Sequence, residues 1–136
     1  MKKISLFLIT LFCLGLTGCS KDAEINAFIT ELDAATKEIV AKIDANPTAA
    51  GIDDAQKAFN GKKASLKAKF EGFKEARGFQ LSADTKKKLE ESLTNNGKAL
   101  LDVSMKNAMK LAMDKDAATK FKDLLTDFQG TFTPGK

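Results

Sequence analysis

Apolar residues recur at spacings of three and four along four segments of this chain, which is the period of an amphipathic helix. In the first segment they fall on one side of a helix: Ile25, Phe28, Ile29, Leu32, Ala35, Ile39, Val40 and Ile43. Composition favours helices too, since Pro occurs only twice and Ala, Lys, Leu and Asp are abundant. The pattern predicts an all-α fold, an antiparallel bundle of three main helices plus a short C-terminal fourth helix.

Chain-breaking residues predict where the first two helices begin and end. The first helix is expected over Asp22–Ala45, because the residue before Pro47 is pushed out of the α region. A loop that includes Gly51 should then turn the chain. The second helix is expected to start at Asp53 or its neighbour, with acidic residues at the positive end of the helix dipole, and to end near Gly78.

The third helix is expected from Ser82, a favourable N-cap, to about Met113, continuous across the polar run 94–97. Its C-terminal half has a second apolar side that needs a covering element: Leu101, Met105, Ala108, Met109 and Ala112. A short fourth helix, capped at Asp114 or Asp116 and ended by Gly130, is predicted to supply that cover. The tail after Gly130 is expected to be loose.

Small residues form a line on the second helix at spacings of four, three and four: Gly61, Ser65, Ala68 and Gly72. A glycine inside a helix destabilises it by about 0.5–1 kcal/mol relative to alanine. Two glycines in one helix therefore indicate that these positions need small residues or tolerate them. One interpretation is a groove that seats another helix of the bundle or a partner. The other is an exposed face that tolerates small residues.

Two asparagines, Asn96 and Asn107, lie in the middle of the apolar stripe of the third helix. A buried amide must be hydrogen-bonded, and a single buried asparagine can fix helix register. These residues are therefore expected to be buried polar groups of the core. The alternative is that both amides line a ligand pocket.

The N-terminus has the form of a bacterial export signal. Lys2 and Lys3 precede an apolar stretch that is too short to span a bilayer, and the segment ends in Leu16-Thr17-Gly18-Cys19. This tetrapeptide resembles the lipobox of bacterial lipoproteins, in which an aliphatic residue and two small residues precede a cysteine. The resemblance implies cleavage of residues 1–18 and a single domain, 19–136, anchored in a lipid bilayer through the acylated Cys19.

The alternative for this region is an ordinary secretory signal, with Cys19 as an early residue of the mature chain. That would leave one unpaired thiol in an exporting context, which is unusual. In Gram-negative lipoproteins the residue after the cysteine helps to sort the protein. Here it is Ser20, so the resemblance implies the outer membrane.

Several classes of chemistry are excluded by the residues present. The chain has no histidine, which removes imidazole-based triads and histidine metal sites, and no phosphate-binding glycine loop is found. Removing Lys2 and Lys3 lowers the formal charge from +4 to +2, which is no nucleic-acid footprint. We therefore expect no enzyme activity, no cofactor, no metal and no nucleic-acid partner.

The remaining function classes are two. The first is a monomeric helical module that binds a protein partner, such as an envelope assembly or a toxin neutralised in the periplasm. The second is a carrier of a small apolar ligand in the bundle interior. A carrier should leave a cavity lined by phenylalanines, whereas a partner-binding module should have a filled core and an exposed apolar or small-residue groove.

Overall fold

The computed structural model describes residues 21–74 and 81–132, and this part of the chain is all-α. The all-α prediction is confirmed, but the described chain forms five helices where four were expected. They are α1 (Asp22–Ala45), α2 (Ala49–Lys74), α3 (Ala83–Lys106), α4 (Ala108–Met113) and α5 (Lys115–Phe132).

The turn between α1 and α2 is shorter than the sequence suggested. Helix α2 already begins at Ala49, so the expected start at Asp53 is wrong and Gly51 lies inside its first turn. A Cβ atom on Gly51 would lie 1.8 Å from the backbone oxygen of Asn46, which leaves no room for a side chain. Glycine therefore allows α2 to fold back directly against the end of α1.

The break in the third predicted helix falls at Asn107. The helix is continuous across residues 94–97, as expected, and then stops at Lys106. The Asn107 side-chain amide donates a 3.0 Å hydrogen bond to the backbone oxygen of Val103. The backbone of Asn107, with φ −104° and ψ 13°, leaves the helical conformation, and the chain restarts here as the six-residue α4.

The last helix is longer than predicted. Asp114 caps it as expected, because its Oδ1 accepts hydrogen bonds from the backbone N–H groups of Asp116 and Ala117 at 3.1 and 3.0 Å. However, α5 continues through Gly130 to Phe132, and Phe132 is buried. The expected stop at Gly130 is therefore wrong, as is the expectation that Phe132 belongs to a loose tail.

Helices α1 and α3 lie side by side and run in the same direction. At one end the backbone N–H of Ser82 donates to Asp22 Oδ1 at 3.1 Å, and at the other end Lys106 Nζ lies 2.6 Å from Asp44 Oδ2. Helix α2 packs antiparallel on another side of α1, and α5 packs on α2 and α4. Helix α5 thus does not cover the second apolar side of α3, which corrects the sequence-based placement.

Phenylalanine rings dominate the centre of the core. Six of them form a chain of contacts with ring centroids 5.1–6.0 Å apart. All six belong to α1, α2 and α5: Phe28, Phe59, Phe70, Phe73, Phe128 and Phe132. The buried side of α3 is more polar, since it includes Thr85, Ser92, Asn96, Leu100 and Val103.

Candidate functional site

The methionine stripe, which we define as Leu101, Met105, Met109 and Met113, is an exposed apolar surface on α3 and α4. The exposed fractions of these side chains are 49, 68, 83 and 89%. Leu101 and Met105 lie one turn apart on α3, and Met109 and Met113 lie one turn apart on α4, so each pair lies on one side of its helix. Monomeric proteins rarely leave contiguous large apolar side chains uncovered without a use for them.

The charge around the methionine stripe is mostly positive. Between residues 98 and 113 the charged side chains are Lys98, Lys106, Lys110 and Asp102. Lys106 is paired with Asp44, and the charge of Lys110 also acts on Asp44, but Lys98 and Lys110 form no ion pair with the described residues. Asp114 follows Met113 directly, so the lysine excess is on the side of the stripe toward Lys98.

The stripe is also far from the N-terminal end of the bundle. Helix α1 has 24 residues, which corresponds to about 36 Å. The Lys106–Asp44 contact places the end of α3 beside the C-terminal end of α1. Met109 and Met113 follow in α4, so they lie near the end of the bundle opposite to Asp22.

Asn96 is buried and holds α3 to α1. Its Nδ2 donates to Asp33 Oδ1 at 2.6 Å and to the backbone oxygen of Ser92 at 2.7 Å. The Ser92 hydroxyl donates to the same Asp33 oxygen at 2.9 Å. A half-buried carboxylate on α1 is thus held by two donors from α3.

The contacts of Asn107 join the same two helices near their C-terminal ends. Asn107 is buried, and its Nδ2 lies 3.4 Å from Asp44 Oδ1. The hydrogen bond from Lys106, followed by that from Asn107, lowers the pKa of the Asp44 carboxyl below its ordinary value. Both asparagines are thus buried, as predicted, and each contacts a carboxylate of α1.

A cleft of about 370 Å³ opens between α1 and α3 beside Asn96. Asp33, Thr36 and Val40 of α1 line it, facing Asn96 and Ala99 of α3. Sequence reasoning did not single out Asp33 or Thr36. The available signal was that Thr36 follows Leu32 by four residues and so lies on the buried arc of α1.

The small-residue line on α2 faces solvent. Gly61, Ser65, Ala68 and Gly72 are all exposed, and a Cβ atom added at Gly61 or Gly72 would meet nothing within 4 Å. The helix-packing interpretation of this line is therefore wrong. The partner interpretation stays a prediction.

Lysines of α2 tie that helix to its neighbours across the surface. Lys69 pairs with Glu31 of α1, and Lys62 pairs with Glu38 at 2.9 Å. The hydrogen bond from Lys69 lowers the pKa of the Glu31 carboxyl. Exposed pairs of this kind contribute roughly 0–1 kcal/mol each, so they stabilise the surface without defining a reactive site.

The described part of the chain shows neither a metal-binding cluster nor a membrane-spanning helix. Residues 21–74 and 81–132 contain no cluster of three or more candidate metal ligands. Within the same ranges no helix combines the length and apolarity needed to cross a bilayer. Cys19 and Ser20, on which the lipobox prediction rests, lie outside the described residues.

Comparison with protein-family models, curated protein sequences and solved structures finds no match to this chain. The features of the described chain that bear on function are the methionine stripe and the α1–α3 cleft.

Proposed function

We propose that the protein is a non-catalytic, lipid-anchored envelope lipoprotein whose helical domain binds an acidic protein partner through the methionine stripe. The single observation that carries the binding role is the exposure of four large apolar side chains on the last turns of α3 and on α4. Methionine side chains are flexible and polarizable, and proteins use them at surfaces that adapt to a partner.

Charge and position support an acidic protein as the occupant. Lys98 and Lys110 border the stripe and form no ion pair at contact distance with the described residues, so they can pair with carboxylates at its edge. If the anchor is Cys19, three residues before α1, the stripe lies toward the end of the bundle away from the membrane. A surface in that position is better placed for a partner in the surrounding compartment than for the anchoring bilayer.

A second copy of this chain is a weaker candidate than a different protein. Two copies of the stripe would bring together two surfaces that both carry lysines, whereas an acidic partner complements Lys98. We therefore propose a monomeric domain and a partner of opposite charge.

The carrier function is supported less well by the described core. The phenylalanine rings that would have to line a ligand cavity contact one another at centroid distances of 5.1–6.0 Å. Their surfaces are used in packing, which is the arrangement expected of a module that acts through its exterior.

Site-specific photo-crosslinking in cells tests the binding role. A photo-reactive residue at Met105 or Met109 should give a discrete crosslinked species, and the same residue at the exposed Ala118 of α5 should not. Adding Lys98→Glu should weaken the Met105 crosslink, because it reverses a charge beside the stripe. Equal crosslinking at Ala118, or none at the stripe, would contradict the proposal.

Lipid anchoring is tested separately. Cys19→Ser should abolish palmitate labelling and release the protein from the membrane fraction, because the thiol is the acylated group implied by the lipobox. Labelling that persists in this variant would refute the lipoprotein assignment and leave the stripe proposal standing.

A further inference from the structure

The α1–α3 cleft has the size and the lining of a small-molecule site. Its volume of about 370 Å³ falls within the range of roughly 300–1,000 Å³ that is usual for ligand pockets. Val40, Ala41 and Ala99 supply apolar wall, while Asp33, Thr36 and Asn96 supply polar groups. A mostly apolar wall with a few placed polar groups is how such sites set orientation and specificity.

Thr36 carries a hydroxyl without a hydrogen bond in the described structure. The side chain is 2% exposed, and its Oγ1 is the buried polar side-chain atom that finds no partner there. A buried hydroxyl that makes no hydrogen bond destabilises the fold, so a partner for this atom would be favourable.

Four other helical threonines show one way in which such a hydroxyl is satisfied. Each of these four donates to the backbone oxygen four residues earlier, at 2.7–3.0 Å: Thr30, Thr119, Thr126 and Thr131. Thr36 makes no such bond. Because Thr36 also lines the cleft, a molecule bound there is placed to supply the missing partner.

Asp33 supplies the negative charge of the cleft. Its Oδ1 accepts from Ser92 and Asn96, whereas its Oδ2 accepts no hydrogen bond from the residues of 21–74 and 81–132. Asp33 also forms no ion pair in these ranges. The two α3 donors hold the carboxylate in place while leaving one oxygen to accept from a cation.

We propose that the α1–α3 cleft binds a small primary alkylammonium ion. Its ammonium group donates to Asp33 Oδ2 and to the Thr36 hydroxyl, and its alkyl chain lies against Val40, Ala41 and Ala99. This site is separate from the methionine stripe and does not depend on the partner proposed for that stripe.

Lys37 also lines the cleft, and its positive charge favours a competing result, the binding of an anion. A cleft governed by the Lys37 ammonium would select an anion, and one governed by its walls alone would bind neutral chains equally well. Hexylammonium, hexanoate and hexanol carry the same alkyl chain with three different head groups, so they distinguish these cases.

Methyl NMR of the detergent-solubilised protein labelled at valine is suited to the test, because the chain has only two valines, Val40 and Val103. Val40 lines the cleft, and Val103 does not. Hexylammonium should shift the Val40 methyl signals saturably and more than those of Val103, and hexanoate and hexanol should bind at least tenfold more weakly. Hexanoate or hexanol binding as tightly as hexylammonium would overturn the proposal.

Two variants test whether the ammonium group contacts Asp33 and Thr36. Asp33→Asn keeps an oxygen that can accept from Ser92 and Asn96 but removes the charge, and it should weaken hexylammonium binding roughly tenfold or more. Thr36→Val removes only the hydroxyl and should weaken binding roughly two- to tenfold. Thr30→Val, on the exposed side of the same helix, is the control and should leave binding unchanged. Unchanged affinity in either cleft variant would overturn the proposed contacts.

Discussion

Glycine-to-alanine substitutions in α2 should have opposite effects at its two ends. At Gly51 the new Cβ would lie 1.8 Å from the backbone oxygen and 2.8 Å from the carbonyl carbon of Asn46. Backbone atoms cannot rotate away as a side-chain tip can, so the α1–α2 turn has to shift. At Gly72 the same methyl group meets nothing within 4 Å.

The magnitudes follow from these distances. Overpacking costs typically about 1–3 kcal/mol, and the severity of the Gly51 contact puts it near 3 kcal/mol. Replacing a helical glycine by alanine returns about 1 kcal/mol, which leaves Gly51→Ala destabilised by about 2 kcal/mol. Gly72→Ala receives only the gain of about 0.5–1 kcal/mol. The two variants should therefore differ by about 3 kcal/mol in free energy of unfolding.

Urea denaturation of residues 20–136, followed by circular dichroism at 222 nm, measures this difference. Gly61→Ala is the matched control in the same helix, because its methyl group is also unopposed, and it should behave like Gly72→Ala. Equal stability of the Gly51 and Gly72 variants would refute the close approach of α2 to Asn46. Gly72→Leu should also be neutral or stabilising, because a side chain begun at this position meets nothing within 4 Å.

Three further outcomes are expected. Asn96→Ala removes a buried donor from Asp33 and should lower the free energy of unfolding by about 1–3 kcal/mol, measured by urea titration, whereas an unchanged midpoint would contradict the role of this amide. Lysine hydrogen bonds lower the pKa of Glu31 and Asp44 below their ordinary values of 4.5 and 3.8. Their stabilising contribution is therefore complete above those values and lost as the pH falls below them, so urea midpoints should drop between about pH 4 and pH 2, more in wild type than in Glu31→Gln. Residues 20–136 should give a strongly helical far-ultraviolet spectrum and a thermal midpoint unaffected by chelator, and a spectrum dominated by strand would refute the fold.

Helix formation could be predicted from the sequence because the apolar period is strong in every segment. Ser82 and Asp114 cap helices as expected, since their side chains act on neighbouring backbone atoms. The break at Asn107 could not be predicted from the pattern, because Leu111 continues the apolar period across it. The boundary is a local change of backbone angles at Asn107, and an apolar period does not record such a change.

The candidate site was predictable only in part. Burial of Asn96 and Asn107 follows from their position in the apolar stripe, but their carboxylate partners on α1 depend on how two helices pair. The apolar character of Met105 and Met109 was evident, and a cover was inferred for them. The order of helices in space decides whether that cover exists, and α5 packs on α2 and α4 instead.

The uneven distribution of aromatic rings divides the domain into parts of different cohesion. Helices α1, α2 and α5 share all six of the contacting phenylalanines, whereas α3 meets α1 through a surface that includes Ser92 and Asn96. Apolar burial supplies most of the free energy that resists opening, so α3 should exchange its amide hydrogens through sub-global opening before the aromatic core does. The α1–α3 cleft lies along this seam. A molecule bound there would hold α3 against α1 and so stabilise the helix that carries Leu101 and Met105, half of the methionine stripe.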